Sequence, residues 1–287
     1  SMKEFLDWSI DRLNQAGIHF PQMEAEVLLA GALKLSREEI YRRPELPLTE
    51  TEKTILYNFI DRRVKREPIA YILKSKEFWS LDFKITPDVL IPRPETENLV
   101  ENLLLLISKN PEQLPLRLLE IGTGSGAIAV VAAIEIPNCR ITATDYFLEP
   151  LVVARINAEK HGVLDNINFV QSNVFSDLPI VLYDFIISNP PYIQTSQLPN
   201  LMTDVINFEP ESSLDGGSDG LIFYKRIIPE ALAYLKKGGV VVLEIGETQA
   251  KAVTSLFYKE GKYEEIKVIQ DYSGYDRVVS ARKKIYG

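Results

Sequence analysis

Leu118-Leu119-Glu120-Ile121-Gly122-Thr123-Gly124-Ser125-Gly126-Ala127 decides the fold of this 287-residue chain. The first four residues form a short apolar run and read as a buried strand. Three glycines in five residues then read as a sharp turn, and the apolar run Ala127–Ile136 as a helix. Working outward, strands are expected at 140–144, 167–170, 184–188, 240–245, 263–269 and 277–281. Helices at 149–160, 221–235 and 248–258 fall between most of them. That alternation means parallel strands with helices on both faces. The last two strands have no helix between them, which suggests an antiparallel strand added to the sheet.

Asp145 ends the second of these strands, 19 residues after Gly126. Glycines allow close backbone approach to a ligand, and a carboxylate at that point can accept both hydroxyls of a ribose. Together they describe a nucleoside site at the C-terminal edge of a parallel sheet. The spacing Gly-x-Gly-x-Gly is one residue short of the dinucleotide pattern Gly-x-Gly-x-x-Gly. It favours S-adenosylmethionine over a nicotinamide cofactor.

Upstream, residues 1–75 read as a small helical domain. Leu6, Ile10 and Leu13 repeat at helical spacing up to Gly17, and Pro21 suits the first turn of a second helix carrying Ala25, Leu28, Leu29 and Ala32. Ser36 with Glu39, and Thr49 with Glu52, have capping-box spacing. The second box is expected to open a helix packing through Ile55, Phe59 and Ile60. Residues 76–88 switch to a shorter period and suggest a β-hairpin linker, followed by a main domain at 89–287. Pro94 is expected to start a helix through Leu99, Leu103 and Leu106.

The formal net charge is -8 and the pI about 5.1, which argues against a large phosphate-binding surface. Residues 1–75 balance 12 Lys+Arg against 12 Asp+Glu, so the remaining 20 against 28 carry the whole excess. The longest basic run, Arg62-Arg63-Val64-Lys65-Arg66, reads as the cationic end of a helix. Cys139 is the single cysteine and there are two histidines, which fits a reducing, cytoplasmic setting and no metal site. No apolar run is long enough to span a membrane.

Asn189-Pro190-Pro191-Tyr192 follows the apolar strand Phe185-Ile186-Ile187-Ser188. At average usage such a tetrapeptide arises by chance in roughly one chain per thousand of this length. An amide nitrogen is a poor nucleophile because its lone pair is delocalised into the carbonyl, so a methyltransferase must hold it in line with the methyl group. The Asn189 side-chain oxygen can accept one N–H and the Pro190 carbonyl the other. The prolines hold that carbonyl still, and Tyr192 can stack on a flat target group. Catalysis would then be mainly positioning, with no metal or covalent intermediate.

With these motifs in hand, the chain resembles the bacterial peptide chain release factor glutamine methyltransferases (HemK/PrmC family). The resemblance runs through Pro68-Ile69-Ala70-Tyr71-Ile72-Leu73, Glu77-Phe78-Trp79 and Val89-Leu90-Ile91-Pro92-Arg93-Pro94-Glu95-Thr96-Glu97. It continues through the glycine loop, Asn-Pro-Pro-Tyr, Phe208-Glu209-Pro210, Leu214-Asp215-Gly216-Gly217 and Asp276-Arg277-Val278-Val279. It implies a seven-stranded, Rossmann-like class I S-adenosylmethionine-dependent methyltransferase domain preceded by a helical substrate-docking domain. The implied substrate is the glutamine of a Gly-Gly-Gln motif in class I release factors, with S-adenosyl-L-homocysteine as product.

By the same resemblance, Glu120, Gly122, Thr123, Gly124, Ser125, Gly126, Asp145, Asn173, Val174 and Asn189 would bind the cofactor. Asn189, Pro190, Pro191 and Tyr192 would hold the substrate. Asn173 stands where an aspartate commonly faces the adenine, and Lys74 and Ser80 stand where glycines are expected. Arg93, Glu95 and Glu97 read either as a helix N-terminus or as active-site groups. Rival readings are a glutamine methyltransferase of a ribosomal protein and a DNA adenine methyltransferase. The acidic balance and the lack of an extra recognition domain count against stable nucleic-acid binding.

Overall fold

The computed structural model describes residues 1–109 and 115–286. The chain divides into two compact units, residues 1–75 with 202–208, and residues 76–201 with 209–287. No sequence signal attaches 202–208 to the first unit.

The first unit contains α1 (Met2–Gln15), α2 (Pro21–Leu33), α3 (Arg37–Arg42), α4 (Glu50–Val64) and α5 (Ile69–Leu73). Both expected capping boxes form. Glu39 N–H donates to Ser36 Oγ at 3.2 Å and Ser36 N–H to Glu39 Oε2 at 2.9 Å. Thr49 and Glu52 do the same at 3.2 and 2.7 Å. The core gathers Met2, Phe5, Leu13, Leu28, Leu29, Ile40, Leu56 and Ile60. The inward row of α4 is Leu56, Ile60 and Arg63, at i, i+4 and i+7. Ile55, expected in that row, is 39% exposed, because it lies a hundred degrees around the helix from Leu56.

Arg63 is buried because two carboxylates neutralise it. It pairs with Glu24 on α2 and, at 2.6 Å, with Asp204 in the short helix Thr203–Ile206. Arg62 pairs with Glu67, and Arg66 donates to the carbonyls of Ala16 and Gly17 at 2.9 and 3.0 Å. The basic run is therefore largely spent on internal contacts.

The hairpin β1 (Ser75–Phe78) and β2 (Leu81–Lys84), all but Ser75 in the second unit, comes next. Its two turn residues, Trp79 and Ser80, have φ of 55° and 56°, the twist a two-residue hairpin requires. Seven strands follow: β3 (Arg117–Ile121), β4 (Arg140–Asp145), β5 (Ile167–Gln171), β6 (Tyr183–Ser188), β7 (Leu235–Glu244), β8 (Tyr263–Gln270) and β9 (Asp276–Lys283). Their order is β5-β4-β3-β6-β7-β9-β8, parallel except for β9, which is antiparallel to both neighbours. The expected antiparallel addition is thus inserted between β7 and β8. β7 starts earlier than expected, at Leu235, because Tyr183 pairs with it before a register shift carries the ladder past Gly238-Gly239.

The helices of this unit are α6 (Glu97–Ser108), α7 (Ala127–Glu135), α8 (Leu148–Lys160), α10 (Ile222–Tyr234) and α11 (Ala250–Glu260), with α9 the short helix Thr203–Ile206 of the first unit. Strand order reverses between β3 and β6, and a crevice forms beyond the carboxyl ends of strands at such a switch point. No helix of the described residues is long and apolar enough to cross a membrane.

Candidate active site

A cavity of about 440 Å³ lies at that switch point. Its wall includes Gly122, Gly124, Asp145, Asn173, Val174, Asn189, Pro190 and Pro191 from the sequence-selected residues. Glu120, Thr123, Ser125, Gly126 and Tyr192 are not in the wall; they stand behind it. The strand ends explain the convergence. Ile121 pairs with Ser188 across β3 and β6, so the glycine loop and the Asn-Pro-Pro turn leave the sheet side by side.

The glycine loop is held from below. Gly122 and Gly124 have φ of 74° and 53°, and a Cβ on either would meet nothing within 4 Å, so both face open space. Gly126 serves packing instead, since a Cβ there would lie 2.8 Å from that of Ala154 on α8. Thr123 Oγ1 donates to Glu120 Oε2 at 2.7 Å, while Glu120 Oε1 is buried with no hydrogen-bond partner among the described residues. Burial, reinforced by the Asp145 charge, raises the Glu120 carboxyl to about 8 against the Thr123 bond. Asp145 Oδ2 accepts from Gly124 N–H at 3.0 Å, and burial raises its carboxyl too.

A ligand offering cationic and hydroxyl groups fits this donor set. The loop leaves room for it, Asp145 ends a strand beside it, and the Glu120 carboxyl lies buried behind the loop. Asn173 is already engaged, with Oδ1 accepting from Arg226 Nη1 at 2.8 Å. Val174, buried and β-branched, takes φ of 59°, a costly conformation at the cavity wall.

Asn189 Nδ2 donates to Thr96 Oγ1 at 3.2 Å. Tyr192 packs half-buried against the hydrophobic cluster of Tyr224, Ile245 and Val253, and burial pushes its phenol up to about 12. Its carbonyl accepts from Gln249 Nε2 at 2.9 Å, and the same amide nitrogen donates to Gly220 O at 3.1 Å. Of the segment 93–97, Arg93 pairs with buried Glu209 and Glu97 accepts from Trp79 N–H at 2.8 Å. None of Arg93, Glu95 and Glu97 lines the cavity; Thr96, between them, is the residue that reaches Asn189.

Residues 4–73 match the PrmC N-terminal domain and residues 101–219 the methyltransferase small domain. A release factor glutamine methyltransferase of Coxiella burnetii is 43% identical over 92% of each chain. Another, from Geobacter sulfurreducens, is 39% identical over 98% of this chain and 96% of its own. The chain belongs to the release factor glutamine methyltransferase family. Among solved structures, the hMettl16 catalytic domain has a TM-score of 0.57 at 18% identity, covering 85% of this chain and 84% of that one, a likeness of fold.

In this member of the release factor glutamine methyltransferases, four residues that line or adjoin the candidate site had escaped the sequence reading: Thr96, Arg226, Gln249 and Glu244, which lies beside Thr96 and Asn189. Two of them left signals. The cavity face of α10 is Ile222, Phe223, Arg226 and Ile227, at i, i+1, i+4 and i+5, a helical stripe that includes one cation. Leu-Glu-Ile-Gly occurs twice, at 119–122 and 243–246, each time ending a strand of the sheet. Thr96 and Gln249 left none, because each acts through a contact distant in sequence.

Proposed function

We propose that this enzyme transfers a methyl group from S-adenosylmethionine to the side-chain amide nitrogen of the glutamine in the Gly-Gly-Gln motif of class I release factors. The observation that carries the reading is the presence of Asn189, Pro190 and Pro191 in the same cavity wall as Gly122, Gly124 and Asp145. The methyl acceptor and a nucleoside-type donor can therefore meet in one space. When bound, S-adenosylmethionine supplies an activated methyl on a sulfonium and leaves as S-adenosylhomocysteine. Gly122, Gly124 and Asp145 would hold it in front, with Glu120, Thr123, Ser125 and Gly126 shaping the loop, and Asn173 and Val174 beside it.

The protein's part is orientation. Asn189 has its amide nitrogen turned to Thr96, so Oδ1 remains to accept one N–H of the substrate amide. The Pro190 carbonyl accepts the other. Pinned from both hydrogens, the nitrogen keeps its lone pair aimed at the methyl group; the N–C bond would form as the methyl leaves sulfur, and the proton lost from nitrogen would pass to solvent water. Pro191 fixes the turn, and Tyr192 anchors its far end. Residues 1–75 would contribute to recognition of the folded release factor.

Asn189→Ala tests the central claim. The variant is expected to fold, to keep much of its cofactor affinity, and to lose at least about a hundredfold in single-turnover rate, because one N–H is left unpaired and the nitrogen can rotate. Retention of more than about a tenth of the wild-type rate at saturating cofactor rules out the amide-clamp role.

A further inference from the structure

The two Leu-Glu-Ile-Gly segments end β3 and β7, and those strands flank β6 on either side. Asn189, one residue past β6, therefore emerges between two buried glutamates. Ser188 pairs with Leu243, so Glu244 stands level with Asn189. Glu244 is 1% exposed, and its Oε2 has no hydrogen-bond partner among the described residues. The side chains of Thr96 and Asn189 lie beside its carboxylate, Asn189 Nδ2 donates to Thr96 Oγ1 at 3.2 Å, and Tyr224 donates to its backbone carbonyl at 2.8 Å.

A carboxylate only accepts hydrogen bonds. One N–H of the Asn189 amide goes to Thr96 Oγ1, which leaves the other to be taken by the Glu244 carboxylate beside it. The Thr96 hydroxyl, having accepted from Asn189, has its own hydrogen left to give to Glu244. The polarity of the whole network is set by the acid at its end. We infer that Glu244, with Thr96, is a positioning residue that locks the Asn189 amide with Oδ1 toward the cavity, the one orientation that can accept an N–H from the methylated amide. This deepens the proposed function and rests on it for its catalytic consequence.

A buried acid is an expensive way to orient an amide, and the expense is visible. Burial raises the Glu244 carboxyl to about 7, against bonds from Thr96 and Asn189 and the charge of Arg277 on β9, with Glu95 adding repulsion. Tyr192 and Tyr224 face it as well, each raised by burial first and by the Glu244 charge second. Protonated Glu244 is a donor, able to bond Asn189 Oδ1 and turn the amide the wrong way round.

The test uses the full-length enzyme, with Glu244→Gln and Thr96→Val alone and each combined with Asn189→Ala. Single-turnover methylation of a release factor should fall at least tenfold in each single variant, with S-adenosylhomocysteine affinity by calorimetry within twofold of wild type. The wild-type rate should rise with pH through about 7, and the Glu244→Gln rate should be flat there. In the Asn189→Ala background neither change should cost anything further, since both act through Asn189. Wild-type rates, or losses that multiply fully with Asn189→Ala, overturn the assignment. A substrate-free arm stands apart. The Asn189 side-chain NH2 pair, identified by its absence in Asn189→Ala, should exchange slowly with solvent in wild type and at least tenfold faster in Thr96→Val. Equal exchange overturns the lock even if the enzyme proves inactive on release factors, an outcome that would sink the substrate reading separately. Thr96→Val decides both arms if Glu244→Gln fails to fold.

Discussion

Asp145 joins two tasks in one side chain. Its oxygens accept from the backbone N–H of Gly124 and Phe147, at 3.0 and 3.3 Å, and so tie the glycine loop to the end of β4. The same carboxylate lines the cavity. Asp145→Ala should weaken S-adenosylmethionine binding by about 1.5–3 kcal/mol, the worth of a charge-assisted bond. Unchanged affinity in calorimetry on a folded variant would remove the ribose assignment. Ser80 is a second residue whose cost can be read directly. It holds a left-handed φ of 56° where a glycine was expected. Ser80→Gly relieves steric strain but gives the unfolded chain more freedom, leaving a net gain of about 0.5–1 kcal/mol. A urea midpoint unchanged or lowered would show that the turn carries no such strain. Lys74, with φ of 58°, caps α5 in the same left-handed way.

At the scale of elements, the Asn-Pro-Pro-Tyr turn keeps its place because other segments close around it. Ile193 N–H donates to Leu214 O at 3.0 Å and Gly216 N–H to Ile193 O at 2.7 Å. Gln249, at the start of α11, donates to Tyr192 O and Gly220 O and accepts from Gly246 N–H at 3.0 Å. Gly220 has φ of +70°, and a Cβ there would lie 2.5 Å from Tyr192 O and 2.7 Å from Gln249 Nε2. Gly220→Ala must therefore shift the turn as well as strain its own backbone. It should lower stability by about 2 kcal/mol or more and depress kcat well beyond any change in cofactor affinity. A variant with wild-type kcat would show that the turn tolerates displacement at its Tyr192 end.

For the molecule as a whole, the two strand-end glutamates set a pH dependence of stability. Their carboxyls are raised in the folded chain, Glu120 to about 8 and Glu244 to about 7, from 4.5. The folded state then holds protons that the unfolded chain has already released. Stability from this source is complete below about pH 4.5 and is lost as pH rises toward 8, by at most about 1.4 kcal/mol per pH unit for each group. Carboxylates held low, such as Glu26 and Asp271, act in the opposite sense at more acid pH. Calorimetry of the cofactor-free protein should find Tm falling between pH 5 and 8, and falling less in Glu120→Gln. A Tm that is level or rises over that range would mean the glutamates are not buried as acids.

Periodicity by itself determined the strand–helix alternation, the capping boxes of α3 and α4, and the antiparallel character of one late strand, because these depend on residues a few positions apart. The glycine loop, Asp145 and Asn-Pro-Pro could be singled out as candidates for the same reason: their spacing is local, and strand ends deliver them to one edge of the sheet. What only the tertiary structure decided lies in contacts across long separations. Leu56 rather than Ile55 faces the core because neighbouring helices choose the inward row of α4. Tyr192 turned into the hydrophobic cluster, and Thr96 rather than Arg93, Glu95 or Glu97 reached Asn189. The two Leu-Glu-Ile-Gly segments were plain in the sequence as letters. Their meaning was not, since a carboxylate at a strand end is buried or solvated according to which strands lie beside it, and strand order is a property of the folded sheet.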